Sequence, residues 1–318
     1  MMNVLAYDDP YSDTRPNRTG WPLDETQSGQ PAIGYAPRPP AAHPRRRRRR
    51  RIPTGCLSVL LATLILVGIY FLLPIRTNLL ILGTDSRDPT NPLGRTDTMI
   101  LTTVVPLAPE IGMLSVPRDL WVIIPRYGEN RINTAYFFAE AENPGTGAGH
   151  AIETVNAVFG VNMDYYLLIN FAGIVNIVDA MGGIDVDFPR EMSGYEAGVH
   201  HLDGTQALAL VRDRTGDDFL RLERGQVFIR SAVREFMNPL ILPRLPAIVL
   251  ALSTTMDTDL PVWQWPRIGL AVLRAGPEGI ESRTITREMA TGFFTADGAN
   301  VLLPHWDLIH PVVDELFR

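Results

Sequence analysis

The chain has 318 residues, 46% of them hydrophobic, with 26 Gly, 26 Pro and a single cysteine, Cys56. Its formal net charge of −6 hides a division: eleven arginines stand against five acidic residues up to Arg76, and eighteen against thirty beyond it. Lysine is absent, which excludes a Walker A loop, a Schiff-base lysine and pyridoxal-phosphate chemistry; the lone cysteine excludes an intrachain disulfide framework, and the acidic outer part argues against a nucleic-acid surface there.

Residues 1–44 are rich in Pro, Gly, Asp, Thr and Ser without a sustained apolar period, and Arg45 to Arg51 is an unbroken arginine run. Residues 1–51 therefore read as a disordered cytoplasmic tail. Ile52 to Ile75 carries no charge. As a helix it would cover about 36 Å at roughly 1.5 Å per residue, enough for a hydrocarbon core of about 30 Å. The arginine run sets the tail inside and the carboxyl end outside. Phe71-Leu-Leu-Pro-Ile75 lacks a small-x-small cleavage site, so 52–75 is expected to be an uncleaved signal anchor of a single-pass cell-membrane protein. Cys56 lies in this segment and reads as a buried or membrane-interface thiol.

Residues 77–318 alternate β-like and helical runs. Strands are expected at Asn78–Gly83, Thr98–Val105 and Ile111–Val116. Helices are expected at His150–Phe159 and at Phe171–Met181, the latter stopped by Gly182-Gly183. Ile184–Phe188 alternates like a half-buried strand. Asp203 with Gln206 three residues on predicts a capping box opening a helix that leads to Arg212. Helical patterns follow at 219–236, 244–253, 261–274, interrupted by Pro266, and 304–316, with a strand near Ile280–Thr286. Mixed alternation without repeats or a linker predicts a single mixed-sheet α/β/α outer domain behind one N-terminal transmembrane helix. Its first strand begins just past the anchor, so the domain lies within reach of a lipid-borne head group.

Two stretches next to the anchor carry the chemistry. Leu82-Gly-Thr-Asp-Ser-Arg87 and Arg95-Thr-Asp-Thr-Met99 hold two carboxylates and two guanidiniums. Asp85 and Asp97 offer hard oxygen ligands suited to Mg²⁺ that also holds a phosphate. Arg87 and Arg95 offer planar forks for phosphate oxygens. Arg118 follows a strand in Ser115-Val-Pro-Arg-Asp119, and Arg212, Arg214, Arg221 and Arg224 gather between Val211 and Arg224. So much positive charge in an acidic domain suits a diphosphate; taken alone, the last segment also fits surface ion pairs with Asp213, Asp217, Asp218 and Glu223. His200, His201, His305 and His310 form no metal-ligand spacing of the zinc type.

These motifs, with Arg131-Ile-Asn133, Asp164-Tyr-Tyr166, Val178-Asp-Ala-Met-Gly-Gly183 and Ala296 to Trp306, resemble the LytR-CpsA-Psr family in unbroken order from about Thr77 to Phe317. The resemblance implies a membrane-anchored phosphotransferase that moves a glycopolymer from a polyprenyl-diphosphate carrier to a cell-wall acceptor, usually peptidoglycan. It implies Asp85 and Asp97 as ligands of Mg²⁺, with Mn²⁺ as the alternative ion. Arg87, Arg95, Arg118, Arg212, Arg214, Arg221 and Arg224 would surround the diphosphate oxygens, with Gln226 beside them. Asp85, Asp97, Arg118 and Arg214 are the expected catalytic residues. The resemblance also implies an apolar pocket between sheet and helices for the prenyl chain, and Tyr165–Ile169 and Ile248–Leu252 are candidates to line it. With no lysine present, Asp97 or Asp85 is the expected general base. Two positions depart from the family pattern: Gly225 precedes a single Gln226 where paired glutamines are frequent, and Arg131 stands where lysine is typical. A non-catalytic wall-binding or regulatory membrane protein, and a polyprenyl-diphosphate hydrolase, are the rival readings.

Overall fold

The computed structural model describes residues 54–72, 75–85, 94, 96–106, 110–213, 215–216 and 218–317. Helix α1 (Thr54–Leu72) comes first, and its leucine, isoleucine and valine side chains are mostly exposed. Among the described residues no single helix is long and apolar enough to cross a membrane; Leu57–Phe71 is a shorter apolar helix.

Strands β1 (Thr77–Thr84), β2 (Thr96–Val104) and β3 (Ile111–Val116) then form an antiparallel meander. A hairpin, β4 (Trp121–Ile124) and β5 (Gly128–Arg131), leads to α2 (Thr134–Glu142) and α3 (Gly147–Phe159). Strand β6 (Tyr165–Asn170) lies parallel to β1, and α4 (Phe171–Met181) leaves from its end. A second hairpin, β7 (Ile184–Phe188) and β8 (Gly198–Leu202), precedes α5 (Gly204–Arg212) and the long α6 (Asp218–Phe236). After a 3₁₀ turn, Pro239–Arg244, come α7 (Leu245–Thr255), β9 (Met256–Thr258), α8 (Trp265–Ala275) and β10 (Ile280–Thr284). The hairpin β11 (Ala290–Phe294) and β12 (Asn300–Pro304) and helix α9 (Trp306–Phe317) end the chain.

The central sheet has the order β10-β3-β2-β1-β6-β9 and is mixed, with β1–β6 and β3–β10 parallel and the other pairs antiparallel. Alternation sends Leu80, Leu82, Met99, Leu101 and Leu114 to one face, against α2, α3 and α9. Leu79, Ile100, Val104 and Met113 go to the other, against α6 and α8. A third cluster joins α4, α5 and α7 to the β7–β8 hairpin. The expected α/β/α layering with a mixed sheet is what the chain forms.

Local signals act as the sequence suggests. Asp203 and Gln206 form a reciprocal capping box, and Gly182 closes α4 in the left-handed region at φ 87°. Two expectations shift. Pro266 lies in the first turn of α8 rather than interrupting a helix, because a missing N–H costs nothing there. The expected 304–316 helix begins at Trp306, since Asn300–Pro304 pairs as a strand with β11.

Candidate active site

The functional side chains converge because several strands end at one edge. Asp85 follows β1 and Asp97 is the second residue of β2; a register shift at Gly83/Thr84 places Thr84 opposite Thr96 and sets the two carboxylates on adjacent strand ends. Met99 opposes Val116, so the chain leaves β3 toward Arg118 at this same edge. The ends of β6 and β10 lie here too, with Asn170 beside Thr84 and Thr284 beside Ser115. The crevice at the carboxyl ends of parallel strands is where α/β sheets bind ligands.

Arg118 reaches Asp97, Nη1 to Oδ1 at 3.0 Å, and turns Nε toward Asp119 at 3.4 Å. Asp119 also takes Arg131 Nε at 3.2 Å. The backbone locks this arrangement: the Asn133 amide donates to the Arg118 carbonyl at 3.3 Å, and the Thr96 hydroxyl donates to the Asn133 carbonyl at 3.2 Å. Arg131-Ile-Asn133 thus braces both the loop that carries Arg118 and the strand that carries Asp97. Sequence reading singled out this motif without a role for it; the contact is tertiary and has no local signature.

Arg221, on the first turns of α6, donates from Nη2 to the Asp97 carbonyl. It also stands at the lip of an apolar cavity of about 120 Å³ between the sheet and α4, α5 and α6. Ile81, Ile100, Ile169, Leu222, Phe228 and Ile229 are among the walls. Gly225 also lines it, and a Cβ there would meet nothing within 4 Å. Of the apolar stretches expected as lining, Tyr165–Ile169 contributes only Ile169; Tyr165, on the same face of β6 but at its other end, packs in the cluster between sheet and α8. Ile248–Leu252 is not in the wall: Ile248 is buried in the cluster that packs α7 against α4. Arg212 is exposed, with its guanidinium 4.8 Å above the Phe171 ring at the start of α4, next to the β6 end.

Two expected diphosphate ligands are held by protein groups. Arg224 is only 5% exposed and donates to the carbonyls of Asp213 at 3.1 Å and Thr215 at 2.8 Å, with an ion pair to Asp213 at 3.3 Å. It pins the loop after α5 instead of facing the two carboxylates. Gln226 directs its amide to the Arg283 carbonyl at 3.2 Å and to the Thr284 hydroxyl, tying α6 to β10. The alternative of local ion pairs holds for Arg224 with Asp213, whereas Glu223 pairs with Arg190 at 2.6 Å. Arg87, Arg95 and Arg214 lie outside the described residues.

Burial alone would raise the Asp213 pKa. The Ser193 hydroxyl at 2.5 Å, the Thr215 amide and hydroxyl at 2.8 and 2.7 Å, and Arg224 outweigh it and hold the carboxyl below its usual range.

The donor set bears on Mg²⁺. Among the described residues no group of three or more His, Cys, Asp or Glu side chains forms a metal cage. Mg²⁺ usually keeps several waters and takes one or two carboxylates plus substrate phosphates, so half-buried Asp85 and Asp97 on neighbouring strand ends are a suitable pair.

Comparison with known proteins finds relatives by sequence and by fold. The polyisoprenyl-teichoic acid–peptidoglycan teichoic acid transferase TagU of Oceanobacillus iheyensis is 35% identical over 190 residues, 58% of this chain and 58% of that protein. TagU of Halalkalibacterium halodurans is 34% identical over 223 residues, covering 66% of this chain and 69% of that one. The match to the first thus spans little more than half of its length. The crystal structure of B. subtilis TagV shares the fold with a TM-score of 0.64 at 22% identity, over 77% of this chain and 98% of that one. Residues 75–305, which include every site residue named above, match the LytR_cpsA_psr family, and the chain belongs to it.

Proposed function

We propose that this protein is a membrane-anchored phosphotransferase that moves a glycopolymer from a polyprenyl-diphosphate carrier to a cell-wall acceptor, peptidoglycan. One observation carries the reading: Arg221, which holds the Asp97 carbonyl beside the Arg118–Asp97 ion pair, also lines an apolar cavity. A ligand that is anionic at one end and hydrocarbon at the other fits that junction. The TagU relatives are polyisoprenyl-teichoic acid–peptidoglycan teichoic acid transferases, an activity of the same kind.

In the reaction an acceptor hydroxyl attacks the phosphorus that bears the glycan. The bond from that phosphorus to the bridging oxygen breaks, and prenyl monophosphate leaves. The hydroxyl proton passes to a site carboxylate, Asp85 or Asp97, because the chain has no lysine to take it. Arg118 and Arg221 neutralise charge that builds on the phosphoryl oxygens, and the Asp119–Arg131 pair holds Arg118 in position. Mg²⁺ bound by Asp85 and Asp97 would supply further charge neutralisation on the diphosphate. Arg87, Arg95, Arg212 and Arg214 complete the proposed anion-binding set.

The apolar cavity is smaller than the roughly 300–1,000 Å³ of ordinary ligand pockets. Entry of a prenyl chain therefore requires the cavity between the sheet and α4, α5 and α6 to widen. Residues 52–75, built around the exposed apolar α1, form the proposed span, with the amino-terminal tail inside and the domain outside.

The test gives the full-length protein a polyprenyl-diphosphate glycan with and without peptidoglycan, in Mg²⁺ and in chelator. Mg²⁺-dependent product that requires the acceptor supports transfer. Prenyl phosphate released equally without acceptor would establish a hydrolase instead, and binding without turnover a non-catalytic protein.

A further inference from the structure

The sheet has two distinct ends. One holds the carboxylates. The other is where β1 enters at Thr77, opposite Val104 of β2, directly after α1. Strand β9 runs antiparallel to β6, down to Thr258, and so delivers Leu260 to Trp263 to this base. Helix α6 starts by Asp97 and descends, and the 3₁₀ turn after it meets the lower end of α4, where Arg244 donates to the Met181 carbonyl.

Helix α8 packs on the sheet face it shares with α6 and crosses the strands at their anchor end. Trp265 Nε1 donates to the Leu260 carbonyl at 3.2 Å, Arg267 to the Ile75 carbonyl at 2.8 Å, and Arg274 to the Pro106 carbonyl at 3.2 Å; all three acceptors sit at the anchor end. Its inner side buries Ala271 and Arg267, and its outer side exposes Leu270 and Leu273. Beside it, Val262 and Trp263 are 78% and 66% exposed, and on the 3₁₀ turn after α6 Leu240 and Leu242 are 79% and 62% exposed. An apolar patch of this kind on an otherwise acidic domain calls for a partner.

The geometry points to the bilayer surface as that partner: the base docks on it through Leu240, Leu242, Val262, Trp263, Leu270 and Leu273. Continuity with α1 selects lipid over a protein partner. The Tyr70 hydroxyl, near the end of α1, donates to the Trp263 carbonyl at 2.5 Å, and the buried Arg267 both holds the Ile75 carbonyl and lies 5.7 Å from the Tyr70 ring. These bonds hold the end of α1 against Trp263, so the exposed apolar surface of α1 adjoins the patch. A tryptophan flanked by aliphatic side chains suits the head-group and acyl boundary, and the exposed Arg244 and Arg274 suit anionic head groups. The inference rests on the proposed span, and it adds that the catalytic domain itself enters the membrane interface, with α8 lying in its plane.

The test uses the full chain with Cys56→Ser, carrying a single nitroxide-labelled cysteine at Val262, Leu270, Ala209 or Val59. Each variant is reconstituted into vesicles of phosphatidylglycerol and phosphatidylcholine. Power saturation compares accessibility to oxygen, which concentrates in lipid, with that to a water-soluble nickel chelate. Labels at 262 and 270 are expected to favour oxygen severalfold over the label at 209, which sits one turn before Arg212 at the site end. The label at 59 reads the span independently. Lipid-like values at 59 with water-like values at 262 and 270 would overturn the docking inference while leaving the anchor intact. Water-like values at all positions would overturn both. Neither result depends on transferase activity.

Discussion

Arg118 joins two carboxylates: Nη1 stands 3.0 Å from Asp97 Oδ1 while Nε faces Asp119 Oδ2 at 3.4 Å. One guanidinium therefore links a carboxylate of the site to one behind it, and Arg131 grips the second from the other side at 3.2 Å. Replacing Asp119 by Ala should leave the fold intact and lower kcat by about 10- to 100-fold, because the fork that meets the phosphate loses its orientation. The Arg118→Lys variant should fail similarly, since an ammonium lacks the planar two-point geometry. Steady-state kinetics beside circular dichroism separates lost positioning from lost structure.

Asp85→Asn and Asp97→Asn should each reduce transfer by roughly 100-fold or more, the scale of losing preorganised charge at a transition state. Chelation should abolish activity of the parent protein, and either Mg²⁺ or Mn²⁺ should restore it. Calorimetric titration of the ion in the presence of a soluble diphosphate should show binding by the parent and none by the double variant.

Arg224 offers the opposite contrast. It is buried and holds Asp213 and Thr215, so Arg224→Met should destabilise the domain by about 3 kcal/mol by leaving Asp213 without its cation. Urea unfolding monitored by tryptophan fluorescence measures it. An equal loss of activity with unchanged stability would place Arg224 at the diphosphate after all.

Asp213 also sets a pH dependence. Its pKa is lower in the folded protein than the ordinary value near 3.9, so the unfolded chain binds the proton more readily. The stability it contributes is fully present above about pH 4 and is lost as the pH falls through the lowered folded value. Asp213→Asn should flatten that acid limb of the stability curve relative to the parent.

Gly225 lies within α6 with open space where a side chain would go. Gly225→Ala should raise stability by about 0.5–1 kcal/mol through helix propensity. Gly225→Leu should partly fill the cavity and slow turnover of a long-prenyl donor while sparing a short-chain analogue. Equal rates on both donors would remove the cavity from the substrate path.

Much of this fold was legible because local rules and tertiary packing agree. Strand β1, the capping box of α5 and the glycine stop of α4 follow from periodicity and cap chemistry. The β4–β5 hairpin was not legible: its turn puts Arg126 at φ 68°, a conformation the usual glycine and asparagine signals do not mark at that position. Strand β6 read only as an apolar stretch, since an interior strand paired on both sides needs no polar alternation. At the proposed site, residue types and order singled out Asp85, Asp97, Arg118, Arg212 and Arg221, which the fold places on neighbouring strand and helix ends. They did not separate these from Arg224 and Gln226, because the direction a helical side chain takes depends on neighbours distant in sequence.

The eight residues of β1 have one further consequence. At about 3.3 Å per residue they hold the carboxylates roughly 26 Å above the end where α1 enters. With the base at the bilayer, a carrier lipid at rest lies a full strand length beneath the catalytic groups. Lifting it exposes hydrocarbon to water at about 0.8 kcal/mol per methylene unless protein replaces the lost lipid contacts. On the proposed reaction the strand would act as a spacer coupling catalysis to extraction, and the apolar cavity beside Arg221 would shelter the extracted tail. Once the glycan has been handed on, the same gradient would return the prenyl monophosphate to the membrane.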